Sequence, residues 1–316
     1  MKILLMYPPS ADHLAALQAV APGAELCVAQ DEAHAARLIG DAEVVLGNRY
    51  FLQSLPYAQH LRWMQSNSMG VDRILTAGVG LDNIVLTNAR GVYDDELAEH
   101  ALALIFALVR QLHHARDDQQ AQRWQRRSLR SVGGLQALIL GWGGIGQAIA
   151  QRLLALGVRV HAARKRHLGP PATAAQDVTM HGPHTWRAAL PTTDILLLAL
   201  PLTPATHHVV GAAELAALPP DALVVNVGRG GTLDEQTLLN ALQRDRLSGA
   251  GLDVLEHEPL PPDHPLWREP KVLITPHVGR SIERPPFRWE PLFVENVRRY
   301  VRGEPLLNVV DQRRGY

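Results

Sequence analysis

The chain has 316 residues, and its 31 Lys and Arg side chains balance its 31 Asp and Glu side chains. A net charge of zero gives no overall field that would attract nucleic acid or an anionic membrane surface, and the length allows two domains that each bury a core. The single cysteine excludes an intrachain disulfide, and we see neither a signal peptide nor an apolar run of about 20 residues, so we expect a cytoplasmic protein.

The first 92 residues alternate short apolar strands with helical stretches. Strands are predicted over 2–7, 25–29, 43–48, 61–66 and 83–89, and helices over 12–20 and 31–39. This alternation predicts a small α/β domain with a mostly parallel sheet. The loop after the fourth strand either directs backbone N–H groups at an anion or is an ordinary turn, and it contains Ser68, Met69, Gly70 and Val71.

A long helix is predicted from Asp94 to about Gln122, with acidic residues in its first turn. Apolar side chains cover most of its circumference between Leu97 and Val109, which indicates a helix buried on several sides. We expect it to lie between two domains and to pack against a second subunit. The basic stretch 123–130 is predicted to be a solvated connection.

Residues 137–163 have the order strand, glycine-rich turn, helix, strand. The turn carries Gly141, Gly143 and Gly146 in the spacing G-x-G-x-x-G, and the helix continues to about Leu156. In this context the motif predicts a dinucleotide site, because the glycines let backbone approach a pyrophosphate and the helix N-terminus supplies N–H groups. The alternative is a tight turn that only allows close packing.

The end of the strand 158–163 indicates which dinucleotide is bound. An acidic residue here would bind the ribose hydroxyls of NAD. This chain instead has Arg164, Lys165 and Arg166, with no Asp or Glu before Asp177. Because such a cluster would attract a 2′-phosphate, we predict NADP(H) rather than NAD(H). The alternative is a solvated basic turn, with ribose contacts made elsewhere.

Four further strands are predicted over 194–200, 222–228, 249–254 and 271–275, with helices over 211–218, 234–247 and 290–302. The last three strands each lead into a Gly- or Pro-marked turn that carries ionisable residues, among them Arg229, Glu258 and His277. Since the carboxyl ends of parallel strands meet at one edge of a sheet, we expect the three side chains to converge.

The types of side chain in this set indicate its chemistry. Arginine is a planar cation suited to a carboxylate, and a histidine beside a carboxylate can carry a proton near neutral pH. Asp253 ends a strand in the same place, and is either a cofactor contact or a buried carboxylate that stabilises a turn. No Cys/His cluster has the spacing of a zinc site, so no metal is predicted.

Five segments, taken in order, resemble the D-isomer-specific 2-hydroxyacid dehydrogenases: GWGGIG, LPLTPAT, VVNVGRGGTLDE, GLDVLEHEPL and ITPHVG. The basic strand end makes the chain most similar to the NADPH-dependent glyoxylate/hydroxypyruvate reductase branch. The resemblance implies two doubly wound parallel-sheet α/β domains and a homodimer. A Rossmann-type cofactor domain, 93–282, would be inserted in a flavodoxin-like substrate domain formed by 1–92 with 283–316.

The resemblance also implies an activity and a set of site residues. A hydride would pass from NADPH to a small 2-keto acid of the glyoxylate/hydroxypyruvate type, which gives a D-2-hydroxy acid. Arg229 would bind the substrate carboxylate and keto oxygen, His277 would protonate the carbonyl, and Glu258 would hydrogen-bond the imidazole. The backbone of Ser68, Met69, Gly70 and Val71 would hold the substrate carboxylate.

The implied cofactor contacts lie in the glycine-rich turn and in the turns after the strands beside it. Apart from Arg164, Lys165 and Arg166, they are Gly141, Gly143, Gly144, Ile145, Gly146, Leu200, Pro201, Thr206, Val227, Gly228, Arg229, Asp253, His277 and Gly279.

Two positions depart from the family's usual pattern and leave the preferred acid open. Arg280 stands where small residues are usual, and Arg49 ends a strand of the substrate domain. Since a fold does not imply a function, two alternatives stay open. One is a nicotinamide-dinucleotide-sensing corepressor, and the other is a dehydrogenase for another small acid such as phosphite.

Overall fold

The computed structural model divides into two compact units, Met1–Val92 with Ile282–Tyr316, and Tyr93–Ser281. It describes residues 1–77, 81, 83–165, 177–280 and 286–315. Each unit contains one parallel sheet with helices around it, so the predicted α/β class is confirmed. None of the helices in these ranges is long and apolar enough to cross a membrane.

The first unit is built on a five-stranded parallel sheet. Its strands are β1 Lys2–Leu5, β2 Glu25–Val28, β3 Val44–Leu46, β4 Trp63–Gln65 and β5 Val85–Thr87. Its helices are α1 Ala11–Val20, α2 Glu32–Leu38, α3 Phe51–Ser54, α4 Asp72–Thr76 and the C-terminal helix Glu290–Val301. The strand order β2-β1-β3-β4-β5 is that of a flavodoxin-like sheet.

The second unit is built on a seven-stranded parallel sheet of order β12-β11-β10-β9-β6-β7-β8. Its strands are β6 Gln136–Leu140, β7 Arg159–Ala163, β8 Val178–His181, β9 Ile195–Leu198, β10 Leu223–Asn226, β11 Gly249–Leu252 and β12 Val272–Ile274. Its helices are α5 Asp94–Val109, α6 Leu112–Gln120, α7 Gly144–Ala155, α8 Ala212–Ala217 and α9 Glu235–Gln243.

Alternate side chains of the central strand β6 enter different hydrophobic cores. Leu138 and Leu140 pack with residues of α8 and α9, whereas Ala137 and Ile139 pack with residues of α5 and α7. Both faces of the sheet are therefore covered, which explains why its strands read as continuous apolar runs rather than as alternating patterns. Strands β7 and β8 are added on one side of β6 and strands β9 to β12 on the other, so the strand order reverses between β6 and β9. Open parallel sheets bind ligands at such a reversal.

The prediction of one long helix from Asp94 to Gln122 is wrong. The backbone breaks after Val109, because Gln111 adopts a left-handed conformation with φ of 51°. The Gln111 side chain donates to the carbonyl of Ser128 at 3.2 Å. No Gly or Pro marks the break, so the apolar pattern continues through it without a signal.

The second unit also has two features beyond those that the sequence predicts. The strand β8 and the short 3-10 helix Trp186–Thr192 were not predicted. Residues 123–129 are exposed, as predicted, and ion pairs hold the stretch as well: Arg130 donates to Asp194 at 2.6 Å, and both Arg123 and Arg127 pair with the buried Asp118. Ion pairs to other parts of the unit therefore hold this stretch in place.

Candidate active site

Three neighbouring strands deliver the predicted catalytic residues to one edge of the seven-stranded sheet. The strand β11 pairs with β10 on one side and with β12 on the other, in parallel. Arg229 follows β10, Glu258 follows β11 and His277 follows β12. The carboxyl ends of these three strands adjoin, as the spacing predicts.

Glu258 and His277 are in direct contact. The Glu258 Oε2 atom lies 2.7 Å from the Nδ1 atom of His277, and Glu258 Oε1 accepts a hydrogen bond from the Leu255 N–H at 3.0 Å. Burial alone would raise the pKa of Glu258, but the hydrogen bonds from His277 and Leu255 outweigh it and lower that pKa. The charged carboxylate therefore holds the imidazole by its Nδ1 side, which leaves Nε2 for a ligand.

Arg229 begins a tight turn that is closed by hydrogen bonds to the Arg229 carbonyl. Its carbonyl accepts from Thr232 Oγ1 at 2.6 Å and from Asn226 Nδ2 at 3.1 Å. Its positive charge also contributes to lowering the pKa of Glu258. At the next position, a Cβ on Gly230 would lie 1.9 Å from the carbonyl carbon of Leu255. Only glycine allows the two turns to pack this closely.

The buried Asp253 folds the turn that carries His277. Its Oδ1 accepts from Thr275 Oγ1 at 2.7 Å and from the Val278 N–H at 2.9 Å, and its Oδ2 accepts from the Gly279 N–H at 3.0 Å. The N–H of His277 donates to the Asp253 carbonyl at 2.8 Å. These bonds hold His277 in a left-handed conformation with φ of 53°, a strained state for a residue other than glycine.

His100 on α5 belongs to the same network, although sequence reasoning gave it no role. Its Nε2 lies 2.8 Å from Thr275 Oγ1 and 3.2 Å from Asp253 Oδ1. Burial alone would raise the pKa of Asp253, but the hydrogen bonds from His100 and Thr275 outweigh that effect and lower it. No signal in the sequence links His100 to Asp253, because the two residues are far apart along the chain.

The glycines of the G-x-G-x-x-G turn have different roles. Gly141 has φ of 109°, and a Cβ there would lie 2.5 Å from the Ala199 carbonyl oxygen. A Cβ on Gly146 would lie 2.0 Å from the Gly141 carbonyl oxygen, whereas one on Gly143 would meet no atom within 4 Å. Gly141 and Gly146 thus serve close packing, while Gly143 leaves open space at the N-terminus of α7. That arrangement fits a pyrophosphate.

The turns beside the glycine-rich turn pack closely against one another. A Cβ on Gly228 would lie 2.7 Å from the Leu200 carbonyl oxygen, and the Val227 N–H donates to the Leu198 carbonyl at 3.0 Å. The Thr206 hydroxyl donates to the Pro201 carbonyl at 2.6 Å. These predicted cofactor contacts therefore line the carboxyl ends of β9, which adjoins β6, and of β10, which adjoins β9.

Arg164 and Lys165, which follow β7, lie at the same edge of the sheet. Arg164 is half-buried and Lys165 is exposed, and the Arg164 N–H donates to the His181 carbonyl at 3.2 Å. Arg166 lies outside the described residues. The unpredicted strand β8 thus fixes the backbone at the position where the ribose of a dinucleotide is selected.

The predicted anion-binding loop of the first unit follows β4. Its conformation is held by Asn88 Nδ2, which donates to the Met69 carbonyl at 2.7 Å, and by Asn48 Nδ2, which donates to Ser68 Oγ at 3.1 Å. Gly70 and Val71 complete the loop before α4. Asparagines at the ends of β3 and β5, the two strands that flank β4, thus position this loop.

The two arginines that depart from the family's pattern both contact an aromatic ring. The Arg280 guanidinium lies 5.3 Å from the centre of the Tyr93 ring, and the Arg49 guanidinium lies 5.3 Å from that of Tyr50. Arg280 is therefore held by a cation–π contact within its own unit. Within the described ranges, no group of three or more His, Cys, Asp or Glu side chains could hold a metal ion.

Comparison with known proteins assigns the chain to a family. The family model for the NAD-binding domain of the D-isomer-specific 2-hydroxyacid dehydrogenases matches residues 102–279, more than half of the chain. The chain belongs to this family. The resemblance seen in the motifs is confirmed, and so is the prediction of an oxidoreductase, since the members of this dehydrogenase family are oxidoreductases.

Individual members of the dehydrogenase family match nearly the whole chain. Glyoxylate/hydroxypyruvate reductase B of Citrobacter koseri is 30% identical over 302 residues, which cover 90% of this chain and 86% of the reductase. A D-isomer-specific 2-hydroxyacid dehydrogenase family protein of Aeromonas salmonicida has a similar crystal structure, with a TM-score of 0.86, 32% identity and coverage of 98% of this chain and 99% of that one.

A third similar protein was crystallised with a cofactor. It is the NADPH-dependent glyoxylate/hydroxypyruvate reductase of Sinorhizobium meliloti, in complex with NADP and sulfate. Its structure has a TM-score of 0.85 and 28% identity, and the match covers 100% of this chain and 99% of that one. Both solved structures confirm the predicted architecture of two parallel-sheet domains.

Proposed function

We propose that the protein reduces a small 2-keto acid of the glyoxylate/hydroxypyruvate type to a D-2-hydroxy acid with NADPH. The observation that carries this proposal is the contact of 2.7 Å between Glu258 and His277, beside the turn of Arg229. An imidazole held on a carboxylate next to an arginine is a proton donor beside an anion-binding group. The reduction of a 2-keto acid needs both.

Each residue of the set has a distinct part in this reaction. The Arg229 guanidinium binds the substrate carboxylate and faces the charge that develops on the carbonyl oxygen. His277 gives its Nε2 proton to that oxygen, and Glu258 stabilises the imidazolium before transfer and holds the ring in one orientation. Bound NADPH supplies the hydride.

The residues that would hold NADPH form a site with the right chemistry. The open space at Gly143 and the N–H groups of α7 suit the pyrophosphate. Arg164, Lys165 and Arg166 follow β7, where a carboxylate would select NAD, so their charge favours the 2′-phosphate. The NADP complex of the Sinorhizobium meliloti reductase supports the same choice.

The roles of the two domains also belong to this proposal. Residues 93–282 form the dinucleotide-binding domain, and residues 1–92 with 283–316 form the substrate domain, whose loop Ser68–Val71 holds the substrate carboxylate. A reducing cytoplasm suits both the single cysteine and NADPH.

A homodimer is also part of the proposal. Three apolar side chains of the segment 112–129 are exposed, among them Trp124 at 94%, and the others are Leu112 and Leu129. Such surface is typical of an interface. We expect sedimentation equilibrium to give twice the chain mass, and a monomer at all concentrations would contradict the dimer.

The test of the proposed function compares initial rates of glyoxylate, hydroxypyruvate and phenylpyruvate reduction, each with NADPH and with NADH. We expect faster turnover with NADPH and a preference for one of the two smaller acids. Preference for NADH would keep the reaction and refute the role of the basic cluster. Tight NADPH binding without turnover of any acid would favour a nicotinamide-sensing binding protein instead.

A further inference from the structure

A pair of glutamates connects the turn of Arg229 with the turn of Glu258, and the reaction proposed above does not use either of them. Glu235 is the first residue of α9, and Glu256 lies in the turn after β11. The N–H of Glu256 donates to Glu235 Oε1 at 2.6 Å, and the N–H of Glu235 donates to Glu256 Oε1 at 3.1 Å. Each side chain therefore caps the backbone of the other residue.

The backbone of Leu255 and Glu256 contacts both the turn of Arg229 and the Glu258 carboxylate. Gly230, the neighbour of Arg229, packs so closely against this backbone that a Cβ would lie 2.3 Å from the Glu256 nitrogen. The Leu255 N–H, which belongs to the preceding peptide bond, donates to Glu258 Oε1 at 3.0 Å. A movement of this backbone segment would therefore shift Arg229 and Glu258 relative to each other, and Glu235 holds the segment through the Glu256 N–H.

Glu235 is buried, Glu256 is half-buried, and both lie among other charged or titratable side chains. Glu235 is 7% exposed, and the Nε2 atom of His208 lies 3.0 Å from the same Oε1 atom of Glu256 that caps Glu235. Burial, together with the charges of Glu256 and Glu258, raises the pKa of Glu235 to about 7, although the Glu256 N–H and His257 lower it. The neighbouring Asp234 is the other acidic group on this end of α9.

From these contacts we infer that Glu235 and Glu256 are positioning residues, which set the distance between Arg229 and the Glu258–His277 pair. The inference depends on the proposed function, since it concerns the same site. Because an error of about 1 Å in such a site costs up to about 100-fold in rate, loss of the pair should appear in turnover. Ionisation of Glu235 places a third charge beside two carboxylates, so the pair should loosen as pH rises.

The test compares three variants of the full chain. Glu235→Ala removes the acceptor of the Glu256 N–H, and Glu235→Gln keeps an acceptor oxygen but cannot ionise. Asp234→Ala is the matched control, because Asp234 caps the same helix through the Thr237 N–H at 2.9 Å without reaching the turn of Glu256. Melting temperature, NADPH affinity, kcat and KM are measured for each protein between pH 5.5 and 8.5.

We expect Glu235→Ala to lower kcat about 10- to 100-fold with unchanged NADPH affinity. Asp234→Ala should lose comparable thermal stability and keep the wild-type kcat. Glu235→Gln should keep kcat near pH 6 and move the upper limb of the kcat–pH profile to higher pH. Rescue by the amide together with this shift would not follow from a purely structural role.

A folded Glu235→Ala protein with the kcat of the wild type would overturn the inference, and so would an equal loss of kcat in Asp234→Ala. If Glu235→Ala does not fold, a Glu235→Gln profile that superimposes on the wild-type profile overturns it instead. Absence of wild-type turnover with any 2-keto acid is a different result, because it refutes the proposed function before the variants are compared.

Discussion

The carboxylate of Glu258 joins a local contact to a long-range one. It accepts from the backbone of its own turn at Leu255 and from the imidazole of His277 on a neighbouring strand end. The first bond fixes where the carboxylate is, and the second fixes the ring. A lowered pKa keeps the carboxylate charged throughout the neutral range, so the imidazolium has a counter-charge when it must give up its proton.

The Glu258→Gln variant tests the role of this charge. The amide can still accept a hydrogen bond, but it cannot stabilise the imidazolium. We expect the upper limb of the reductive kcat/KM–pH profile to move to lower pH, with about a tenfold loss at pH 7. This shift is opposite to the one expected for Glu235→Gln. An unmoved limb would exclude Glu258 as the group that tunes His277.

Arg229→Lys tests the shape of the cation rather than its charge. Lysine keeps the charge but lacks the planar fork that binds a carboxylate through two parallel hydrogen bonds. We expect the KM for the keto acid to rise about 10- to 100-fold, while the melting temperature changes little. Unchanged kinetics in steady-state assays would remove Arg229 from the substrate site.

At the scale of elements, the candidate site is formed by turns at strand ends. Some glycines of these turns allow close packing, whereas Gly143 leaves space for a ligand. A side chain at Gly146 would collide with the Gly141 carbonyl, whereas a side chain at Gly143 would enter open space. Likewise, the turn of His277 is held by Asp253 on one strand end and by His100 on α5. Buried backbone groups of such turns need partners, and the Asp253 carboxylate supplies them to the N–H groups of Val278 and Gly279.

The substitutions Gly143→Ala and Gly146→Ala form a matched pair. Gly143→Ala should leave the melting temperature of the cofactor-free protein unchanged, since its φ of −86° suits alanine, and should weaken NADPH binding measured by calorimetry. Gly146→Ala should destabilise the cofactor-free protein by about 1–3 kcal/mol or more, because the new methyl meets backbone. Full NADPH affinity in Gly143→Ala would place the pyrophosphate elsewhere.

At the scale of the whole molecule, the carboxyl groups of Glu235, Asp253 and Glu258 contribute to the dependence of stability on pH. The folded-state pKa of Glu235 is raised to about 7, so folding keeps this carboxyl protonated where the unfolded chain ionises it. Its contribution to stability is complete below the ordinary pKa near 4.5 and is lost as pH rises through about 7. The lowered pKa values of Asp253 and Glu258 act in the opposite sense, because their contributions are lost as pH falls.

The Glu235→Gln variant isolates the first effect. We expect the free energy of unfolding of this variant, measured with urea, to decrease less between pH 5 and pH 8 than that of the wild type. The expected difference is about 1–3 kcal/mol, because each unit of pKa shift corresponds to about 1.4 kcal/mol. Identical pH dependence in the two proteins would show that Glu235 does not titrate in this range.

The amino-acid sequence by itself determined the α/β class, the positions of most strands along the chain and the glycine-rich turn. It also placed Arg229, Glu258 and His277 in turns that follow strands. These features are local: apolar runs that are buried on both faces of a parallel sheet, and turns that follow strands directly. Because parallel strands end at one edge, even the convergence of the three side chains follows from their spacing.

Only the tertiary structure decided the contacts between distant parts of the chain. The helix break at Gln111, the strand β8, the pairing of His100 with Asp253 and the pair Glu235–Glu256 were not predicted. In each case a polar or backbone group finds its partner far away in sequence, and no period or spacing encodes that distance. Burial then makes such partners necessary, since an unpaired polar group in the interior costs about 1–3 kcal/mol.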